Sequence, residues 1–305
     1  MKTQSAIPIE DRPKLSISFS GGRSSAVMTK LLLDEHRYTH NIRVTFANTG
    51  EEHEDTLRFI RDCDRNWGFG VVWLEAVVHH GEKKGVTHKI VNYESASRNG
   101  EPFREFIKKY GIPNATTPQC TTRLKTDVME SYLKSQGFVR GKGINYDTAI
   151  GIRADEIDRI SAKRKEQRLI YPLVKAGHTK ESIKEYMSQF DWDLRIPEHY
   201  GNCVWCWKKT LRKHLTLMQD DESIFDFPEQ MEEEFGCHKG DSAAGDGYGR
   251  RWFFRKHMSV QDIRDLAHKG DFVRFDDPSF SGWSDDDMDR GSGCEESCEV
   301  YADYV

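Results

Sequence analysis

The residues with the clearest chemical potential lie near the start of the chain, in the run Ser18-Phe19-Ser20-Gly21-Gly22-Arg23-Ser24-Ser25. A β-rich stretch, Leu15 to Phe19, feeds a Gly-Gly turn, and Val27, Met28, Leu31 and Leu32 then fall on one helical face. Two glycines let the backbone turn tightly and approach a ligand. A helix start adds N–H donors and a partial positive charge, so the turn suits a phosphate or pyrophosphate. The hydroxyls of Ser20, Ser24 and Ser25 and the cation of Arg23 would add contacts. The same pattern also describes a plain strand-to-helix turn with Ser24 as N-cap, and the residues alone divide these readings evenly. It is not a Walker A loop, because no Gly-Lys-Ser/Thr follows at the required spacing.

A second constellation is Asn202-Cys203-Val204-Trp205-Cys206-Trp207-Lys208-Lys209. A C-x-x-C at the entry to a helix suits a soft metal, or a redox pair whose thiols are acidified by the helix and the following lysines. Ligand spacing does not separate an iron–sulfur cluster from zinc or from metal-free thiols. The chain holds seven cysteines, an odd number without an export pattern, which favours thiol or metal chemistry in a reducing cytoplasm over a disulfide framework. Cys63 falls on the apolar stripe of its helix and reads as core. Cys294 and Cys298 read as solvated tail thiols.

The elements that must position these groups alternate. Strands are predicted at Leu15 to Phe19, Ile42 to Ala47, Val71 to Val77 and Asp147 to Ile152. A helix is predicted from about Glu54 to Trp67, with Phe59, Cys63 and Trp67 in one row and Gly68 as its stop. The expected fold is therefore α/β: a doubly wound, mainly parallel sheet covered on both faces. Residues 81–117 read as a polar insertion or mobile loop. Helices are predicted at about Thr179 to Phe190, Trp205 to Met218 and Val260 to His268. The organisation expected is a nucleotide-binding domain over residues 1–175, a smaller helical region over 176–278 and an acidic, disordered tail over 279–305, with a flexible loop at Gly240 to Gly249.

The 305 residues carry a net charge of −5. Asp276 to Val305 hold ten acidic residues against Arg290, so the body before them is mildly basic. Basic clusters stand at Lys163 to Arg168, Lys208 to His214 and Arg250 to His257. The last interleaves aromatics with cations, as a nucleic-acid surface does, or as an amphipathic segment with its aromatics in the core. No run approaches the ~18 apolar residues of a membrane span. The expectation is a cytoplasmic protein with no membrane partner.

The glycine turn resembles the pyrophosphate-binding loop of the PP-loop superfamily, usually Ser-Gly-Gly-x-Asp-Ser. Further segments, in order, resemble its phosphoadenylylsulfate (PAPS) reductase family: Phe46-Ala47-Asn48-Thr49-Gly50-Glu51, Cys120-Thr121-Thr122-Arg123-Leu124-Lys125, Gly151-Ile152-Arg153-Ala154-Asp155-Glu156 with Arg159, and Tyr171-Pro172-Leu173. The resemblance covers roughly residues 15–215. Two departures stand out. Ser24 occupies the usual Asp position, and the Glu-Cys-Gly-Leu-His segment of PAPS reductases is missing, which disfavours PAPS reduction.

The resemblance implies ATP as the nucleotide, held by Ser18, Ser20 to Ser25, Asn48, Thr49, Gly50 and Gly151, with Lys125 and Arg153 as phosphate partners. It implies Mg²⁺ on Asp155 and Glu156, or on Glu51 or Glu52. It also implies an iron–sulfur cluster on Cys120, Cys203 and Cys206, with Cys237 able to close the site and zinc as the alternative metal. Cys120, Lys125 and Arg153 are the expected catalytic residues. The implied activity is adenylation of an acceptor and sulfur transfer to nucleic acid, either tRNA or DNA. The alternatives are a sulfonucleotide reductase and a non-catalytic nucleotide-binding subunit.

Overall fold

A computed structural model describes residues 7–237, 249–279 and 300. Six strands form one sheet: β1 (Lys14–Ser18), β2 (Asn41–Asn48), β3 (Val72–Val78), β4 (Val86–Val91), β5 (Tyr146–Ala149) and β6 (Leu169–Ile170). Their order is β4-β3-β2-β1-β5-β6. All neighbours run parallel except β3 and β4. β1 lies between β2 and β5, so the winding reverses direction there. That reversal opens the crevice at the carboxyl ends of the strands where ligands of such sheets bind.

The helices are α1 (Arg23–His36), α2 (Glu54–Trp67), α3 (Glu101–Tyr110), α4 (Asp127–Ser135), α5 (Pro172–Ala176), α6 (Lys180–Met187), α7 (Leu211–Asp220), α8 (Asp226–Phe235) and α9 (Val260–Lys269). α2 has the predicted bounds, because Gly68 takes φ +62° and stops it. On one side of the sheet Val27 and Met28 of α1 and Phe59 and Ile60 of α2 pack with Ile17 and Phe46. On the other, Phe103, Leu124 and Val128 pack with Leu74, Trp205, Leu217 and Phe253. Residues after 176 thus share a core with the sheet. No helix among the described residues is long and apolar enough to cross a membrane.

Three expectations need correction. Residues 81–117 are not a loop: they contain β4 and α3. Phe103, Phe106 and Ile107 at helical spacing bury one face of α3, and Gly100 and Gly111 bound it. The helix expected from Trp205 begins only at Leu211. Thr210 caps it by accepting from the Lys213 amide at 3.1 Å, and residues 204–209 are non-helical turns instead. α8 was not predicted at all, although Phe227, Met231 and Phe235 recur every four residues. The Gly240 to Gly249 loop, apart from Gly249, and nearly all of the tail lie outside the described residues.

Candidate active site

The glycine turn sits at the carboxyl end of β1, in the crevice. Gly21 takes φ +83°, a conformation that side chains resist, and the N-cap of α1 is Gly22 rather than Ser24. α2 closes on the turn: a Cβ on Gly21 would stand 2.7 Å from Thr56 Cγ2 and 2.9 Å from Ile60 Cδ1. Ser25 braces the turn from within. Its Oγ accepts from the Ser20 amide (3.2 Å), hydrogen-bonds Ser20 Oγ (2.9 Å) and donates to the Gly22 carbonyl (2.9 Å).

Two arginines at this turn have different roles. Arg23 pairs with Asp193 at 2.8 Å and donates to the Leu194 carbonyl, so its charge ties α1 to the later chain. Arg153, at the end of β5 and buried, donates to Ser24 Oγ at 3.2 Å and pairs with Asp155 at 3.1 Å and Glu156 at 3.5 Å. Burial would raise the Asp155 carboxyl, but the Arg153 hydrogen bond and charge outweigh it and hold the carboxyl low. Gly151 is needed for close packing here, since a Cβ would lie 3.0 Å from Ser25 Cα.

The second strand's exit contributes Asn48, Thr49, Gly50, Glu51 and Glu52, all but Glu51 buried. Glu52 accepts from the Thr49 amide (2.8 Å) and hydroxyl (2.9 Å), and Lys125 Nζ stands 3.7 Å from its other oxygen. Lys125 belongs to a π-helical turn, Thr122–Thr126, that opens α4 just after half-buried Cys120. Such turns recur at functional sites.

The C-x-x-C segment reaches the same place. Asn202 donates to the Ser20 carbonyl (2.7 Å) and accepts from Thr56 Oγ1 (3.0 Å), while its own carbonyl accepts from the His53 amide (2.7 Å). Cys203 forms a β-bridge with Glu52, and Trp205 Nε1 donates to Glu51 at 2.6 Å. The glycine turn, the β2 exit, the Cys120–Lys125 turn and the C-x-x-C segment therefore converge. Cys237 is exposed beyond α8, and Cys63 is wholly buried in the core. Cys294 and Cys298 lie outside the described residues. Asn202 and His53 carry no sequence signal of their roles, because their partners come from distant segments.

The metal expectations can be tested on these side chains. Among the described residues no group of three or more His, Cys, Asp or Glu stands ready to hold a metal ion. Asp155 and Glu156 are both engaged by arginines. Burial pushes the Glu51 carboxyl up to about 8, against a hydrogen bond from Trp205, so at neutral pH it is a protonated and poor ligand. Carboxylates engaged in this way do not fit a resident Mg²⁺.

Glu51 makes stability depend on pH. Its carboxyl is ordinary when unfolded and titrates near 8 when folded, so between about pH 4.5 and 8 the native state holds a proton that the unfolded chain has lost. Stability from this group is full below that window and falls as pH rises through it. Glu51→Gln keeps an oxygen for Trp205 and removes the ionisation. It is expected to raise stability at pH 9 by on the order of a few kcal/mol while changing little at pH 5. Urea unfolding of both proteins at pH 5, 7 and 9 checks this; parallel pH curves would refute it.

The basic clusters differ in exposure. Lys163 to Lys165 are exposed, whereas Lys208, Lys209, Arg212, Lys213 and His214 are all buried and form no open nucleic-acid surface. In Arg250 to His257 the aromatics Phe253 and Phe254 are core, while Arg250, Lys256 and His257 are exposed.

The chain is similar to several known proteins. An uncharacterized nin-region protein of Escherichia phage lambda is 31% identical over 291 residues, spanning 93% of this chain and 94% of that protein. An uncharacterized protein of Methanocaldococcus jannaschii is 26% identical over 159 residues, 51% of this chain and 26% of that protein. The crystal structure of PAPS reductase from Candida auris, in a phosphate complex, is 13% identical, with a TM-score of 0.35 over 59% of this chain and 74% of that one. The model of the phosphoadenosine phosphosulfate reductase domain matches residues 14–170, more than half of the chain and the whole run from β1 to β6. The chain belongs to the phosphoadenosine phosphosulfate reductase family, which gives it a role in nucleotide-linked sulfur chemistry.

Proposed function

We propose that the chain is an enzyme that binds ATP on the Ser18 to Ser25 turn, adenylates an acceptor and so prepares it for sulfur transfer to nucleic acid. The observation that carries this reading is the glycine turn at the start of α1, faced by the buried guanidinium of Arg153 through Ser24. The first-turn amides of a helix have no intrahelical acceptor, so they suit phosphate oxygens. In the reaction an acceptor oxygen attacks the α-phosphorus. The bond to the bridging oxygen breaks, and pyrophosphate leaves with its electron pair. Arg153 and the turn amides stabilise the charge that develops on the leaving group. Asn48, Thr49 and Gly50 line the nucleotide from β2, and Lys125, buried beside Glu52, is the second phosphate cation. A sulfur nucleophile then displaces AMP.

Separate calorimetric titrations with ATP and PAPS, coupled to a pyrophosphate assay, test the reading. ATP is expected to bind, with pyrophosphate released when an acceptor is supplied. Arg153→Ala is expected to weaken ATP roughly tenfold or more. Binding of PAPS but not ATP would instead support the reductase alternative. Pyrophosphate release by Ser24→Asp alone, with wild type silent, would leave a binding module.

A further inference from the structure

A cavity of about 710 Å³, linked to the glycine turn through His53 and Asn202, is lined by His53, Arg195, His199, Tyr200, Asp220 and Phe275 among others. We infer that this cavity binds a second nucleotide unit, its base among the rings of His53, His199, Tyr200 and Phe275 and its phosphate at Arg195. The volume falls within the range of small-molecule sites, which seat most of a ligand of nucleotide size. The inference deepens the proposed function by giving its acceptor nucleotide a site of its own. It rests on that reading only for the word acceptor, not for the binding.

The first support is aromatic. Tyr200 stands edge-on to His53, with ring centroids 5.5 Å apart, and lies 5.0 Å from His199; His199 in turn is 6.2 Å from Phe275. Tyr200 and Phe275 are only partly buried. A wall of partly open rings is what a base stacks on, and it accepts any base because each has a π-face. Phe275 is held by α7, with Lys213 Nζ 4.8 Å and Arg212 Cζ 5.2 Å from its ring centroid.

The second support is a defined set of polar atoms. His199 is buried, and its Nε2 bonds to Asp220 at 2.8 Å. Facing a carboxylate, Nε2 carries a hydrogen, and the ring is fixed in orientation. His53 has the opposite arrangement. Its Nδ1 accepts from the Asp55 amide at 3.1 Å, so Nε2–H is left as a donor. Burial lowers the His53 imidazole, against the attraction of Asp55, which keeps it neutral near pH 7. Two rings fixed in orientation, with His53 Nε2–H as a donor, can read a base edge, as enzymes that work on an extruded base do.

The third support is charge. Arg274 is bound by Asp220 at 2.7 Å and Asp276 at 2.9 Å, and Glu198 holds Lys180 at 3.2 Å. Arg195 is exposed and makes no ion pair among the described residues, so it is the cation on this wall left for a phosphate. Its place is close to the nucleotide turn. Asn202 hydrogen-bonds both Ser20 and Thr56, and His53 of the cavity donates its amide to the Asn202 carbonyl.

The test is calorimetric titration of the full chain with AMP, CMP, GMP and UMP, each with and without saturating ATP, and then with single-stranded DNA and RNA 12-mers. At least one mononucleotide is expected to bind alongside ATP, with Tyr200→Ala and Arg195→Ala each weakening it roughly tenfold while ATP affinity is unchanged. Tighter binding of a 12-mer, lost in the same variants, identifies a strand as the source; equal or weaker binding identifies a free nucleotide. Both variants change exposed or half-exposed side chains, and a thermal melt confirms that they fold. The inference is overturned if no mononucleotide binds, if ATP displaces it one for one, or if the two variants bind it like wild type. If mononucleotide binds and ATP does not, the inference stands and the proposed function fails.

Discussion

Gly21→Ala is expected to destabilise the protein by about 2–4 kcal/mol and to remove ATP binding. Two costs combine. An L-residue in the left-handed region costs roughly 1–2 kcal/mol, and Gly21 sits at φ +83°. The added methyl would also meet Thr56 Cγ2 at 2.7 Å and Ile60 Cδ1 at 2.9 Å, both on α2 and both fully buried. Overpacking of a filled site costs typically about 1–3 kcal/mol. The turn can yield only by moving away from α2, and that carries the first-turn amides of α1 out of register with a phosphate. Denaturant unfolding and an ATP titration on one preparation check both parts. An unfolding free energy within about 0.5 kcal/mol of wild type would show that the turn does not have this conformation.

Asn202→Ala should have the next largest effect. Asn202 is 3% exposed, and its side chain bonds the Ser20 carbonyl at 2.7 Å and Thr56 Oγ1 at 3.0 Å. Alanine leaves both groups buried without that partner, at about 1–3 kcal/mol each before relaxation. The expected loss is about 2–4 kcal/mol, with ATP affinity falling as well because Ser20 is no longer held from behind. Asn202→Asp separates the two bonds: a carboxylate still accepts from Thr56 but cannot donate to Ser20. If ATP affinity falls in Asp as much as in Ala, the Ser20 bond is the one that matters. If Asp binds ATP like wild type, Asn202 serves stability alone.

The readings that succeeded were local. The glycine turn, β1 to β3 and α2 were legible because each depends on a short stretch of chain: glycine freedom, β-rich runs and a row of Phe59, Cys63 and Trp67 ended by Gly68. β4 was not legible because His88, Lys89 and Ile90 give little alternation, and its strand character comes from pairing with β3. The start of α7 was misread for a related reason. Trp205 and Trp207 have helical neighbours, but Trp205 is held by Glu51 and packed against Phe103 and Phe253, at 5.1 and 4.9 Å, before the helix begins. Tertiary burial overrode local propensity there. The basic run at Lys208 to His214 looked like a surface by composition, yet its cations are buried.

The alternation of strands and helices, the glycine turn and the family were legible in the chain because they depend on residue type, spacing and backbone conformation over a few residues. Which side chains meet depends on packing between distant segments. Ser20 and Asn202 are 182 residues apart and bond within the core, Ser24 and Arg153 are 129 apart, and Arg23 meets Asp193, 170 residues away. Such contacts are set by how helices pack on the two faces of the sheet, and no local pattern encodes that packing.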